Sequence, residues 1–284
     1  MRNDFAIFIL SHGRADNVFT VDTLKKCNYT GKWYILCDDG DEQLEKYKNN
    51  FGEDHIIVFS KAEAKKTFDI MDNFDGDGVP TFARNALLYI TENMGLTYFL
   101  ELEDDYTDFS IRIEYDGHLP IWPIVDFDAV IDAYIEYLDL TGAYTIAFAQ
   151  TGEMAGGIHG QIYKTKLKRK AMNAFFCRVD KPFHFLGRFN DDVNAYITYG
   201  KTGGLFLSTA IVNLCQMVTQ AHEGGITEAY KSFGTYVKSF YSVMLRPDCV
   251  KIAAMGIKHK RVHHEIDNKL AYPMIISSRF KKNA

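Results

Sequence analysis

Residues 97–101 (TYFLE) form a short apolar strand pattern that runs straight into Leu102-Glu103-Asp104-Asp105-Tyr106. Three consecutive carboxylates repel one another, at a cost that stands unless a cation or a basic group offsets it. The cluster falls at the carboxyl end of a strand. In open α/β sheets ligands bind at that edge, and a hard divalent ion such as Mg²⁺ or Mn²⁺ takes carboxylate oxygens while leaving positions open for phosphate oxygens. An exposed acidic loop is the competing reading of the same residues.

Upstream, residues 5–10 (FAIFIL), 33–37 (WYILC) and 55–59 (HIIVF) are apolar runs bounded by polar or glycine-containing segments, the pattern of buried strands. Helix-compatible stretches at 17–27 and 42–50 separate them, and a longer one at 82–93 precedes the acidic strand. This βαβαβα order predicts an α/β fold with a mostly parallel central sheet flanked by helices. Downstream, a helix is expected at 126–138 and a strand at 144–150, followed by a flexible loop marked by Gly152, Gly156, Gly157 and Gly160. The rest is less regular, with strands expected at 175–179 and 205–208 and helices at 190–199 and 226–243.

The chain's 284 residues suffice for one sizeable core, and no linker or repeat divides them. A single domain is expected, but its halves differ in charge. Residues 1–150 carry 12 Lys and Arg against 28 Asp and Glu, a net −16, and residues 151–284 carry 20 against 9, a net +11. The first half suits a metal and a donor; the second, with Lys164, Lys166, Lys168, Arg169 and Lys170 close together, suits a polyanion or is a solvated basic loop. No apolar run reaches 18 residues, and five scattered cysteines without a C-x-x-C spacing argue for reduced thiols, so a cytoplasmic protein is expected.

Several further residues carry candidate chemistry. Ser11-His12-Gly13-Arg14 follows the first strand, where His12 and Arg14 can meet a diphosphate and the glycine permits close backbone approach. Asp38 and Asp39 follow the second strand near a ribose or base position, or belong to a polar turn that caps a helix. Arg84 and Asn85 place a guanidinium near an anionic ligand, or in a structural ion pair. Asp191 and Asp192 offer a base for an acceptor hydroxyl, and Asn190 or Asp191 is equally an N-cap. His222 and Glu223 are the next candidates for that base. In the late cluster of residues 259–264, a histidine can complete a carboxylate-rich metal site.

Taken with 5–17 (FAIFILSHGRADN), 82–85 (FARN), 167–176 (LKRKAMNAFF), 187–194 (GRFNDDVN), 234–243 (GTYVKSFYSV) and Val262-His263-His264, the acidic triplet resembles the TET/JBP-associated glycosyltransferases of phages, over nearly the whole chain. The resemblance implies a GT-A-like fold and transfer of a sugar from a nucleotide donor, a UDP-sugar, to a modified pyrimidine such as 5-hydroxymethylcytosine in double-stranded DNA. It places Glu103, Asp104 and Asp105 at a DxD-like position, with Asp104 toward the donor and Glu103 and Asp105 as ligands of Mn²⁺ or Mg²⁺. It also places His263 or His264 as a late metal ligand and Asp191 or Asp192 as acceptor base. The mechanism expected is direct displacement with inversion, a retaining outcome staying open. A transferase for a protein or small-molecule hydroxyl, and an idle DNA-binding scaffold, are the alternatives.

Overall fold

The computed structural model describes residues 1–74, 78–217, 230, 233–234, 236–256 and 260–272. Its elements in chain order are β1 (Phe5–Leu10), α1 (Phe19–Lys26), β2 (Lys32–Asp38), α2 (Leu44–Phe51), β3 (Ile56–Phe59), α3 (Lys61–Ala64), α4 (Pro80–Asn93), β4 (Tyr98–Glu103), β5 (Tyr106–Ile111), β6 (Trp122–Pro123) and α5 (Phe127–Thr141). There follow β7 (Thr145–Gln150), α6 (Gln161–Thr165), β8 (Leu167–Lys168), β9 (Phe175–Arg178), α7 (Asp191–Gly200), β10 (Phe206–Gln216), α8 (Val237–Leu245), β11 (Val250–Met255), β12 (Arg261–Ile266) and α9 (Asn268–Ala271). The α/β class read from the sequence is the one that forms.

The main sheet runs β3-β2-β1-β4-β9-β7-β10-β5-β6, with β8 also on β10. Its first four strands are parallel, whereas β9 is antiparallel to both of its neighbours. Strands from before and after residue 150 therefore interleave, and the change of charge marks no sheet boundary. Period two divides β1 between the two faces. Phe5, Ile7 and Ile9 join the core under α1 and α5, and Ala6, Phe8 and Leu10 join the core under α4 and α7. Such three-layer packing buries β1 completely, which is why its sequence is continuously apolar.

Local chemistry sets the helix ends. Pro80 opens α4 at its first turn, where a missing N–H costs nothing. Asp126 caps α5 by accepting from the Ala129 amide at 3.0 Å, and Gly142, at φ +61°, closes it in the left-handed conformation.

Several elements differ from the sequence reading. The fourth strand runs two residues further, through Glu103, so only Asp104 and Asp105 form the turn. Its extension is paid for on one face, where Glu101 and Glu103 share the side of Phe99 and meet Arg84. The strand β5 was not read, and the strand expected at 205–208 extends to Gln216 because β7, β8 and β5 all pair with it. The glycine-rich loop contains short 3₁₀ turns at Thr151–Met154 and Gly157–His159. The C-terminal hairpin β11–β12 had no strand pattern strong enough to read; its faces are largely exposed. Part of the helix expected at 226–243 lies outside the described residues, and its end forms α8.

Phe148 on β7 is 1% exposed and packs on Phe109, Phe127, Tyr134 and Phe176, with ring centroids 5.0–6.1 Å away. Phe148→Ala is expected to cost about 3–5 kcal/mol, read as a lower denaturant midpoint at unchanged slope.

Candidate active site

The carboxyl ends of β1, β2 and β4 meet at one cleft, because the parallel register sets Leu10 beside both Leu36 and Glu103. Residues following these strands line it, among them Ser11, His12, Arg14, Asp38 and the triplet Glu103, Asp104 and Asp105, with Lys61 opposite. The turn that carries the triplet is fixed by α1. Thr20 Oγ1 donates to the Glu103 carbonyl at 2.6 Å and accepts from the Tyr106 amide at 3.0 Å, and the Thr20 amide donates to the Asp104 carbonyl at 3.2 Å.

The three carboxylates of the triplet have different surroundings. Asp104 is 3% exposed and satisfied, accepting from Ser11 Oγ at 2.6 Å and from Arg14 Nη1 at 3.0 Å. Glu103 accepts from Arg84 Nη2 at 2.8 Å, and its side chain stays 32% exposed toward the cleft. Asp105 is half-buried, and its Oδ1 has no hydrogen-bond partner. Burial first, then the charges of Glu103 and Asp104, push its carboxyl up to about 7. Burial likewise raises Glu103. Carboxylates crowded and desolvated in this way favour a cation among them.

Beside them, His12 Nδ1 lies 2.5 Å from Asp38 Oδ2 and 3.6 Å from Asp41. These three are the group of His, Cys, Asp and Glu side chains, among the described residues, whose ligand atoms all lie within 4.8 Å of one another. Their carboxylates already have donors: Lys61 Nζ and the Gly40 amide serve Asp38, and the Gly13 and Gln43 amides serve Asp41. Asp38 is held down at about 2, its burial outweighed by His12 and Lys61, and the same bond to Asp38 raises His12. Of the two acidic groups, the triplet has the greater need of a cation.

Arg84 is 4% exposed and absent from the cleft wall. Its Nη1 donates to both oxygens of Asp191 at 3.0 and 2.9 Å, Nη2 donates to Glu103, and Nε approaches Glu101 at 3.4 Å. It takes the ion-pair alternative of the sequence reading. Asn85 is buried too, bridging the carbonyls of Thr81 and Phe185, and Asp39 is exposed and accepts from the Lys61 amide.

Asp191 is also held by Thr81 Oγ1 at 3.2 Å. Its neighbour Asp192 is half-buried and takes none of these side-chain partners. Burial and the Asp191 charge push its carboxyl up to about 7. Neither residue is the N-cap of α7. Asn190 holds that position in the left-handed conformation, and its side chain reaches the Lys238 carbonyl at 2.9 Å and His264 Nδ1 at 3.0 Å.

His263 and His264 do not come within one ligand cluster with Glu103 and Asp105. Their hairpin packs on α8, and burial, with the nearby His263 and Lys238, pushes His264 down to about 4, a neutral ring that accepts from Asn190. His222, Glu223 and His259 lie outside the described residues.

Of the basic stretch, Lys164 and Lys166 are exposed, with Lys166 Nζ over the Tyr163 ring. Lys168 and Lys170 share Glu153, and Arg169 lies over Tyr272 at 4.9 Å. Sequence reading missed Glu101, Lys61 and Lys238. Glu101 had a signal, a charge at the centre of an apolar strand, which demands a buried partner.

The TET-associated glycosyltransferase family model matches residues 5–225. The chain belongs to that family. No curated protein matches the chain. Among solved structures, the chain is similar to glucosyl-3-phosphoglycerate synthase from Mycobacterium tuberculosis in complex with Mg²⁺ and UDP, at 9% identity and a TM-score of 0.47, covering 92% of this chain and 87% of that one. It is also similar to a Desulfovibrio desulfuricans G20 protein described as a nucleotide-diphospho-sugar transferase, at 12% identity and 0.41, covering 76% and 83%. No helix among the described residues is long and apolar enough to cross a membrane.

The two aspartates at the start of α7 are expected to separate in stability. Asp191→Asn breaks a buried pair and should cost about 3–5 kcal/mol. A carboxyl raised from 3.8 to about 7 destabilises the fold as pH rises through that window, because the unfolded chain ionises first. Asp192→Asn removes this penalty and should leave stability at pH 8 equal or higher. Urea unfolding of both variants at pH 5 and pH 8 checks this.

Proposed function

We propose that this glycosyltransferase moves a sugar from a nucleotide-sugar donor, a UDP-sugar, to the hydroxyl of a modified pyrimidine such as 5-hydroxymethylcytosine in double-stranded phage DNA. The observation that carries the reading is the acidic turn at the end of β4, where Asp105 keeps an unpartnered buried oxygen inside a cleft at the sheet's ligand edge, in a chain of this family. The polyanionic acceptor is supported by the net +11 of residues 151–284 and by the run Lys164, Lys166, Lys168, Arg169 and Lys170.

The residues of the turn fit a hard divalent cation, Mn²⁺ or Mg²⁺, with Glu103 and Asp105 as the groups that would hold it. When bound, such an ion offsets the charge of the departing diphosphate. Arg14 and Lys61 add positive charge along the same cleft, and Ser11 and Arg14 keep Asp104 oriented.

Asp192 acts as the base. Its carboxylate takes the proton from the acceptor hydroxyl while that oxygen bonds to the anomeric carbon and the carbon–diphosphate bond breaks, leaving a glycosylated base and a nucleoside diphosphate. Asp191 is unsuited to that task, because both of its oxygens are spent on Arg84. A carboxyl near 7 is matched to proton transfer at neutral pH. Displacement of this kind inverts the anomeric configuration.

Incubating hydroxymethylated DNA with the protein, Mn²⁺ and a panel of nucleotide sugars, followed by mass spectrometry, tests the reading. A mass gain of one hexose on the base supports it, and donor turnover with no gain on any DNA overturns the acceptor. Asp192→Asn is expected to lower transfer roughly 10²- to 10⁴-fold while nucleotide-sugar binding persists. In the parent, kcat/KM should fall as pH drops below about 7, because the base must be ionised. A flat profile from pH 5.5 to 8 contradicts the assignment.

Asp105→Ala is expected to abolish transfer with melting unchanged or raised, since it removes a desolvated charge, and chelation should silence the parent until Mn²⁺ is restored. Unchanged turnover in the variant removes Asp105 from the metal site.

A further inference from the structure

A second cavity, of about 930 Å³, shares no wall residue with the donor cleft. Lys168, Arg169, Lys170 and Lys269 stand on its wall, which among the described residues carries no carboxylate, and the buried Tyr196 and Tyr272 border it. The cations differ in how far they are committed. Lys168 and Lys170 share Glu153, whereas the Nε of Arg169 is buried without a hydrogen-bond partner. That orphaned donor sits in a guanidinium already held flat over Tyr272.

The cavity connects to the proposed base through α7. Tyr196 stands four residues after Asp192, so the two lie on one face of the helix a single turn apart. Asp192 is half-buried, and a base stacked in a duplex cannot bring its substituent to a recessed carboxylate. A base turned out of the stack can. A cavity of this size takes one nucleotide unit rather than a duplex, and its cations meet the flanking phosphates.

Resting on the proposed DNA acceptor, we infer that this cavity receives the acceptor nucleotide extruded from the double helix, with Arg169 and Lys269 on its phosphates. Extrusion costs less where the target base has no pairing partner.

The test uses the full chain and duplexes holding one 5-hydroxymethylcytosine, paired with guanine or facing an abasic site. The unpaired target is expected to bind more than about tenfold more tightly, since each tenfold is 1.4 kcal/mol and unpairing costs a few. Gln161→Trp, which places bulk at the rim from an exposed position, and Lys269→Glu should each weaken binding of both duplexes more than about tenfold at parental melting temperature. Equal affinity for the two duplexes overturns extrusion, and parental affinity in both variants overturns the cavity as its site; either result leaves the DNA acceptor in place if the parent still transfers sugar. Donor turnover without transfer to either duplex overturns the acceptor reading and this inference with it.

Discussion

Arg84 sits inside the protein against the rings of Phe175 and Phe185, and its guanidinium touches Asp191, Glu103 and Glu101, which come from α7 and β4. Buried ions are costly, and a buried pair that loses a partner is costlier still. The strand, the helix that carries the proposed base and the acidic turn are thereby held in one arrangement. One guanidinium cannot neutralise three carboxylates, and the structure shows where the deficit falls: Glu101, with Oε2 unpartnered, is pushed up to about 7, chiefly by burial. Glu101 therefore holds its proton through part of the neutral range, which leaves Arg84 to balance Glu103 and Asp191.

The division of labour among the site's carboxylates follows from hydrogen-bond supply. Asp104, Asp191, Asp38 and Asp41 each accept hydrogen bonds from donors within the fold. Asp105 keeps an unpartnered Oδ1, and burial raises both Asp105 and Asp192 toward neutrality. Perturbed groups of this kind cluster at functional sites. Asp105 lines the cleft, and Asp192 opens α7 within electrostatic reach of Arg84 and Glu103.

Much of the first half was legible because parallel strands buried on both faces read as uninterrupted apolar runs, as in β1, and because the charge cluster broke that pattern where a ligand edge was due. The acidic triplet and the Asp191-Asp192 pair stood out as like charges in sequence. What distinguishes their members did not, since it depends on Arg84, Thr81 and Ser11, which are 93 to 110 residues away from Asp104 or Asp191 or, for Arg84, 107. The hairpin β11–β12 was illegible for a different reason. With both faces largely exposed, its strands carry no alternation of apolar and polar residues. The His263-His264 pair was read as chemistry beside a metal, whereas the fold gives His264 a neutral partner in Asn190.

The change of charge along the chain acquires a physical meaning once the sheet order is known. Because β9 and β10 insert beside β4 and β7, the acidic and basic segments cannot separate into two bodies and must meet along one sheet. An acidic cleft and a basic surface would neutralise each other if their side chains touched freely. The contact instead passes through α7, where Asp191 faces Arg84 and Tyr196 faces the basic cavity. Lys168 and Lys170 are balanced locally by Glu153, and the triplet locally by Arg14 and Arg84. Each pole keeps its own counter-charges, so the acidic turn and the basic surface hold their places on one sheet without drawing on each other.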